Sequence, residues 1–297
     1  MAKLTRSNFP QLLTPIHKKI CYDSYGEIPE QWSQIVDVET AVKPTLTYVH
    51  EGGFGLWDSN TEGNTFNSDE MSEGDTVTLT VGRFDKSYLV TWELIQDDQY
   101  NVFKGEGKGG SASKLGKGLR ATLETRVANV LLNGFSNVGY DGTALFSSNH
   151  TLYDSSAVGQ NLISGALNPA NVKAGMTLIR NQVDSAGLKI QANAKQLIVS
   201  PDNEFAAKEI VGSTNQAFEM SNTENVVGGL KPIVLDYLTG TKWFLRDPNF
   251  KNLVLAWREK PIFDSERVQG TMDMRMYGYA RWAEGYYDWR GLAGSLG

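Results

Sequence analysis

The sequence predicts an α+β fold, in which strand-like and helix-like patterns follow one another along one chain. Two segments, KPTLTYVH at 43–50 and TVTLTVGRF at 76–84, alternate apolar and polar residues, the period of a strand with one buried face. The segment LRATLETRVANVLLNGF at 119–135 instead places its leucines and valines at helical spacing. Between 151 and 255 the two patterns are mixed, and strand-like patterns follow to 297.

Composition limits the classes of protein that this chain can be. With 297 residues, 40% of them hydrophobic, it can bury a sizeable core. A net charge of -6 argues against a protein that grips nucleic-acid phosphates, because such surfaces need clustered Lys and Arg. Cys21 is the single cysteine, which excludes an internal disulfide and fits a reducing cytosol. We expect no cofactor or metal site, no leader peptide and no membrane span.

Residues 1–40 are broken into short apolar pieces by Pro10, Pro15, Gly26 and Pro29. Proline and glycine residues at this spacing do not favour one compact unit. We interpret this segment as an N-terminal arm that lies on another body.

Residues 41–85 are interpreted as an extended β-hairpin. The stretch between its strands, 51–75, contains no Lys or Arg and several apolar residues, among them Phe54, Leu56, Trp57 and Phe66. Structureless loops of this length are uncommon in compact domains and are usually functional or disordered. We predict that the tip packs on a partner; a mobile surface loop is the alternative.

A basic, Gly/Ser-rich segment, KGEGKGGSASKLGKG at 104–118, precedes the helical pattern. It matches G-x-G-x-x-G at Gly105, Gly107 and Gly110, but no strand runs directly into it, so we interpret it as a hinge. The long amphipathic helix after it is predicted to be capped by Ser111 or Ser113 and to stop near Gly134.

The segment DGTALFSSNH at 141–150 contains the residue types of a hydrolase site. Ser147 or Ser148 could be a nucleophile with His150 as its base and Asp141 or Asp154 to orient the histidine. Neither serine precedes a predicted helix or an obvious oxyanion loop, as a nucleophile elbow requires. We therefore favour a structural turn at Asp141-Gly142 and expect no catalytic residue.

In the order of its elements, the chain resembles tailed-bacteriophage major capsid proteins of the Hong Kong 97-type fold, and in particular the Mu-like major head subunit group. The likeness covers residues 86–258. It rests on KSYLVTWELIQDD, on LRATLETRVANVLLNG at the place of the family's spine helix, and on DGTALFSSNH after it. It continues through VKAGMTLIRNQVDSAGLKIQANAKQLIVSPDNEFAAKEIV, which resembles the family's axial domain, and NVVGGLKPIVLDYL, which resembles its later strands.

The resemblance implies five regions. They are an N-terminal arm (1–40), an extended hairpin or E-loop (41–85), a peripheral domain with a spine helix at about 113–134 (86–150), an axial domain (151–255), and strands returning to the peripheral domain (256–297).

The function that the resemblance implies is that of a major head protein, not an enzyme. Copies made in the cytoplasm of a bacterial host would assemble as pentamers and hexamers into an icosahedral virion shell. The partners implied are a scaffolding protein, a portal and a decoration protein, with packaged double-stranded DNA nearby but not specifically bound. A soluble hydrolase and a phage tail or tube component are the alternatives.

The acidic hairpin tip would then meet basic residues of the next subunit. The predicted inter-subunit residues are Glu51, Trp57, Asp58, Glu62, Asp69, Glu70 and Glu73 on the tip, and Lys104, Lys108, Lys114, Lys117 and Arg120 as receivers.

Overall fold

The computed structural model describes residues 13–70, 73–91, 93–94, 97, 110–152, 155–215, 224–271 and 273–297. Within them the chain forms four α-helices: Leu13–Glu27 (α1), Ser111–Leu132 (α2, the spine helix), Pro169–Asn181 (α3) and Glu204–Gly212 (α4). The same ranges contain thirteen strands: Asp37–Thr40 (β1), Thr45–Glu51 (β2), Glu73–Thr80 (β3), Gly82–Val90 (β4), His150–Leu152 (β5), Ser155–Gly159 (β6), Leu162–Ile163 (β7), Gln196–Val199 (β8), Lys231–Val234 (β9), Trp243–Arg246 (β10), Leu253–Arg267 (β11), Met274–Tyr286 (β12) and Leu292–Ser295 (β13). No α-helix of the described part combines the length and apolar character that crossing a bilayer requires.

One sheet is built around the long strands β11 and β12, in the order β1-β11-β12-β4. β1 is parallel to β11, and the other pairs are antiparallel. Helices α1 and α2 pack on one face of this sheet. Leu123 and Leu131 of the spine helix enter a core that includes Trp257 and Trp282, whose ring centroids lie 5.5 Å apart. The helical spacing of the sequence thus marked the buried face correctly.

Residues 13–40 pack on their own chain, which contradicts the expectation that they lie on another body. Helix α1 lies along the spine helix, where the Cys21 thiol donates to the carbonyl of Ala112 at 3.3 Å. The helices approach so closely that a Cβ at Gly116 would overlap the carbonyl oxygen of Cys21. After α1, Trp32 and Ile35 are buried in the main core. Residues 1–12 of the predicted arm lie outside the described residues.

The spine helix begins at Ser111 without a side-chain cap, which corrects the prediction of a serine N-cap. Ser113 is buried inside the first turn and accepts a hydrogen bond from the Ser24 hydroxyl of α1 at 2.9 Å. The serine therefore joins two helices instead of ending one.

A second sheet has the order β7-β13-β10-β8-β9. Trp243 and Leu245 of β10 face a core with Val172 and Ile179 of α3, while Phe244 points into the core shared with the spine helix. Strand β13 lies between β7 and β10, so only β11 and β12 of the predicted returning strands join the first sheet. This corrects the assignment of residues up to 297 to the peripheral region.

The predicted hairpin is formed by β2 and β3, which pair antiparallel from Thr45 opposite Thr80 to Glu51 opposite Glu73. Val77 is buried and Leu79 is partly buried, while Thr76 and Thr78 on the opposite face are exposed. The strand pattern predicted from the alternation is confirmed. Residues 52–70 connect the strands without helix or strand structure.

Candidate assembly surface

The hairpin tip carries large apolar side chains that its own chain leaves uncovered. Trp57 is 97% exposed, Phe66 99% and Leu56 83%. Soluble monomers rarely present such clustered apolar surface, and when they do it marks an interaction site. The tip is therefore the strongest candidate for a binding surface in the described part of the chain.

Local hydrogen bonds give the tip a defined shape. The Gly55 amide donates to Asp69 at 3.0 Å, which ties the two sides of the loop together. The Asn60 side chain donates to the Thr65 carbonyl at 2.6 Å across a turn at Gly63, whose φ of 88° is readily adopted only by glycine. The aromatic side chains are thus presented from an organised loop.

The same surface is anionic. Its predicted acidic residues are all solvent-exposed: Glu51, Asp58, Glu62, Asp69, Glu70 and Glu73. Since residues 51–75 include no basic side chain, the tip requires a receiver that is apolar and neutral or cationic.

The base of the hairpin is held by its own chain. The His50 ring stacks on Tyr140 with centroids 4.6 Å apart, and its Nε2 lies 3.0 Å from the Tyr287 carbonyl oxygen. The Tyr48 hydroxyl donates to Glu39 at 2.6 Å. The hairpin is therefore fixed at its base and free at its tip.

Electrostatics strengthen this anchor. Lys251 pairs with Glu39 at 2.6 Å and lies 4.2 Å from the ring centroid of Tyr48. Burial alone would raise the pKa of Glu39, but hydrogen bonds from Lys251 and Tyr48 hold it below its ordinary value. The sequence analysis missed this anchor, whose only local signal was the pair of aromatic residues in TYVHE.

The three predicted basic receivers that the structure describes do not form one free cluster. The Arg120 side chain is 3% exposed; it donates to Glu30 at 2.7 Å and lies 3.9 Å from the ring centroid of Tyr25. Arg120 is therefore no longer a candidate to receive the hairpin tip, because its guanidinium already binds residues at and after the end of α1. Lys117 pairs with Glu27 at 3.0 Å, and Lys114 is exposed on the first turn of the helix. Lys104 and Lys108 lie outside the described residues.

Glu124, one turn after Arg120, is a further residue that sequence reasoning missed. Its carboxylate accepts from the Gln31 and Trp32 amides at 3.0 and 2.9 Å. Burial raises the pKa of Glu124 despite these hydrogen bonds. Together with Arg120, it fastens the segment after α1 to the spine helix.

The loop at 141–150 forms a closed polar network around His150. Its Nδ1 lies 2.5 Å from Asp141, its Nε2 lies 3.1 Å from the Asn161 side-chain oxygen, and its ring stacks on Trp289. Burial alone would raise the pKa of Asp141, but hydrogen bonds from His150 and Thr143 hold it below its ordinary value. Both ring nitrogens are thus occupied by partners that hold the loop in place.

Neither serine of this loop has the geometry of a nucleophile. The Ser147 hydroxyl accepts from the Asn149 amide at 3.1 Å, in a local turn. The Nε2 that a general base would use faces Asn161 instead. The structural reading of the segment fits this geometry, and Asp154 lies outside the described residues.

Comparison with known proteins gives a consistent assignment. The sequence model of the family described as phage capsid protein matches residues 74–295. Among curated proteins, no match was found.

Solved structures share the fold at low sequence identity. The procapsid of bacteriophage JBD30 matches at 16% identity and a TM-score of 0.53, covering 98% of this chain and 76% of that chain. The capsid of the cyanophage P-SCSP1u matches at 8% identity and 0.59, covering 88% and 85%. A virus-like particle from Pyrococcus furiosus matches at 10% identity and 0.57, covering 95% and 98%.

The chain combines two helices on a long-stranded sheet, a second sheet and a β-hairpin, and it shares its mixed α and β fold with these capsid structures. The narrower likeness to the Mu-like head subunits stays a prediction. The chain has the Hong Kong 97-type fold and belongs to the phage capsid protein family.

Proposed function

We propose that this chain is the major head subunit of a tailed phage, whose copies join as pentamers and hexamers in an icosahedral shell. The observation that carries the proposal is the hairpin, anchored at its base and exposing an aromatic, acidic tip. A rigid base and an uncovered tip suit a clamp on a neighbouring subunit, since isolated hairpins gain stability by packing on another surface.

The charge of the chain suits a shell that encloses DNA. A mildly anionic subunit repels the packaged phosphates, which keeps the DNA mobile during packaging and release. The further partners proposed are a scaffolding protein, a portal and a decoration protein. Assembly would take place in the host cytoplasm.

A shell of this fold class would expand on maturation, and the hinge predicted at 104–118 would serve that motion. Gly116 and Gly118 lie within the spine helix, so they are poor hinge positions. Residues 104–109 of the predicted hinge lie outside the described residues.

Expression with and without a candidate scaffolding protein tests the proposal. Light scattering would measure assembly mass, and negative-stain micrographs would show the shape of the particles. Closed shells, or separate rings of five and six subunits, are expected. Tubes would favour a tail component, and a monomer in every condition would contradict assembly.

A further inference from the structure

A groove runs between the spine helix and strand β4, on the face of the sheet that carries the helices. Its volume is about 260 Å³, and its apolar lining comes from Phe84, Leu115, Leu119 and Phe263. It exists because α1 and α2 cover β11 and β12, whereas β4 is the last strand of the sheet.

Missing side chains keep the groove open. A Cβ added at Gly118 would meet nothing within 4 Å, so the helix side of the groove has free space. At Gly278 a Cβ would lie 3.0 Å from the ring of the buried Phe263, so the floor there is glycine backbone packed directly on that ring.

The groove has a cation at its rim. Lys86 is exposed and lines the groove, and no carboxylate of the described residues lies within ion-pair distance of it. The neighbouring Arg83 is already paired with Asp85 at 2.9 Å. The groove therefore offers an apolar floor beside one uncompensated positive charge, which suits an aromatic side chain followed by a carboxylate.

The hairpin tip contains that combination at Trp57-Asp58. Trp57 is almost fully exposed, and Asp58 directly follows it. Phe66 is equally exposed but is followed by Asn67 and Ser68, so it brings no adjacent charge. We propose that the groove between the spine helix and β4 receives Trp57 of a second copy of this chain, with Asp58 of that copy paired to Lys86.

The tip cannot reach the groove of its own chain. β4 pairs Gly82 with Trp282, and β3 continues along the same strand, with Leu79 packed on Gly285. At about 3.3 Å per residue, the stretch from Glu73 to Lys86 therefore spans roughly 43 Å, with the tip beyond its far end. A Trp57 that fills this groove therefore belongs to another copy.

The hairpin tip and the groove lie at opposite ends of the run formed by β3 and β4, and this placement decides the symmetry of the contact. Such a contact is heterologous, meaning that different surfaces of the two subunits meet. Repeated, it forms rings where the rotation between copies closes, as pentamers and hexamers require, and open filaments where it does not. This inference rests on the proposed shell function and deepens it, by naming the surface on which each tip sits.

Cross-linking tests the contact directly. A chain carrying Ser59→Cys and Thr122→Cys keeps Trp57 and Asp58 and places one thiol beside the tip and one at the groove. The matched control carries Ser59→Cys and Phe205→Cys, since Phe205 is exposed on α4, which packs on the second sheet and not at the groove. Native Cys21 is buried, and burial raises its pKa to about 12, so in the folded subunit it reacts far more slowly than an exposed engineered thiol.

Treatment of assembled particles with a short bismaleimide should give a ladder of covalent oligomers with Thr122→Cys and none with Phe205→Cys. Particles that form normally but show no ladder with Thr122→Cys would overturn the inference.

Charge exchange provides a second measurement. Asp58→Lys and Lys86→Asp should each raise the subunit concentration needed for assembly severalfold, and the two changes together should restore it. If the unchanged chain assembles and neither substitution alters assembly, the groove is not the receiver and the shell function stands. If the unchanged chain never assembles with its scaffold, the shell function fails and the groove contact with it.

Discussion

Alanine at Gly116 or at Gly118 should change stability in opposite directions, although the two glycines lie two residues apart in the spine helix. Replacing a helix-interior glycine with alanine gains about 0.8–1 kcal/mol in helix propensity at either position. The surroundings differ. An added Cβ at Gly118 meets nothing within 4 Å, whereas at Gly116 it meets the Cys21 carbonyl and lies 3.1 Å from the Tyr25 amide nitrogen.

The size of the difference follows from what surrounds Gly116. Overpacking typically costs about 1–3 kcal/mol, and here the obstructing atoms are backbone, so no flexible side chain can move aside. A cost of about 3 kcal/mol less a propensity gain of about 1 kcal/mol leaves a net loss of about 2 kcal/mol. Gly118→Ala should instead stabilise the subunit by about 1 kcal/mol.

Urea unfolding of the unassembled subunit, followed by circular dichroism, measures both values. The rate at which Cys21 reacts with a thiol reagent adds a local readout, because this thiol is buried where α1 meets the spine helix. We expect faster labelling in Gly116→Ala and unchanged labelling in Gly118→Ala. Equal stabilisation by both substitutions would refute the close seating of α1 on the spine helix.

Three further predictions concern the anchors and the tip. Trp57→Ala should leave subunit stability within about 0.5 kcal/mol, because the side chain is almost fully exposed, yet reduce assembly measured by light scattering. Arg120→Lys should cost about 2 kcal/mol in urea unfolding, because lysine keeps the charge but loses the planar, stacked guanidinium. The pKa of Asp141 is held below its ordinary value, so its contribution to stability is present above that value and is lost as the pH falls through the native pKa. Asp141→Asn should therefore lower stability at neutral pH and weaken its decline in acid, which urea midpoints measured across pH would show.

The elements that the sequence predicts well are those with one buried face. Val77 and Leu79 alternate with solvent-exposed threonines, and this two-residue period in the sequence predicted the strand directly. Leu123 and Leu131 likewise marked the buried face of the spine helix. In both cases only one face of the element is buried, so apolar residues recur in the sequence at the period of that element.

Features set by distant contacts were beyond such patterns. Pro15 suggested a break, but it is the third residue of α1, and the first turn of a helix tolerates proline because its amides have no helical partner. Arg120 looked like an exposed base, since its partner Glu30 is ninety residues away in sequence. Strand β13 carries no alternating pattern, because all four of its residues are buried between two other strands.

Strand β13 also imposes an order on biosynthesis. It follows every other described element along the chain, yet it sits inside the second sheet, hydrogen-bonded to β7 on one side and β10 on the other. That sheet therefore cannot close until β13 has been synthesised and has left the ribosome. Chains that end before β13 would present two unpaired strand edges, which invite aggregation, and the second sheet would stay open in them.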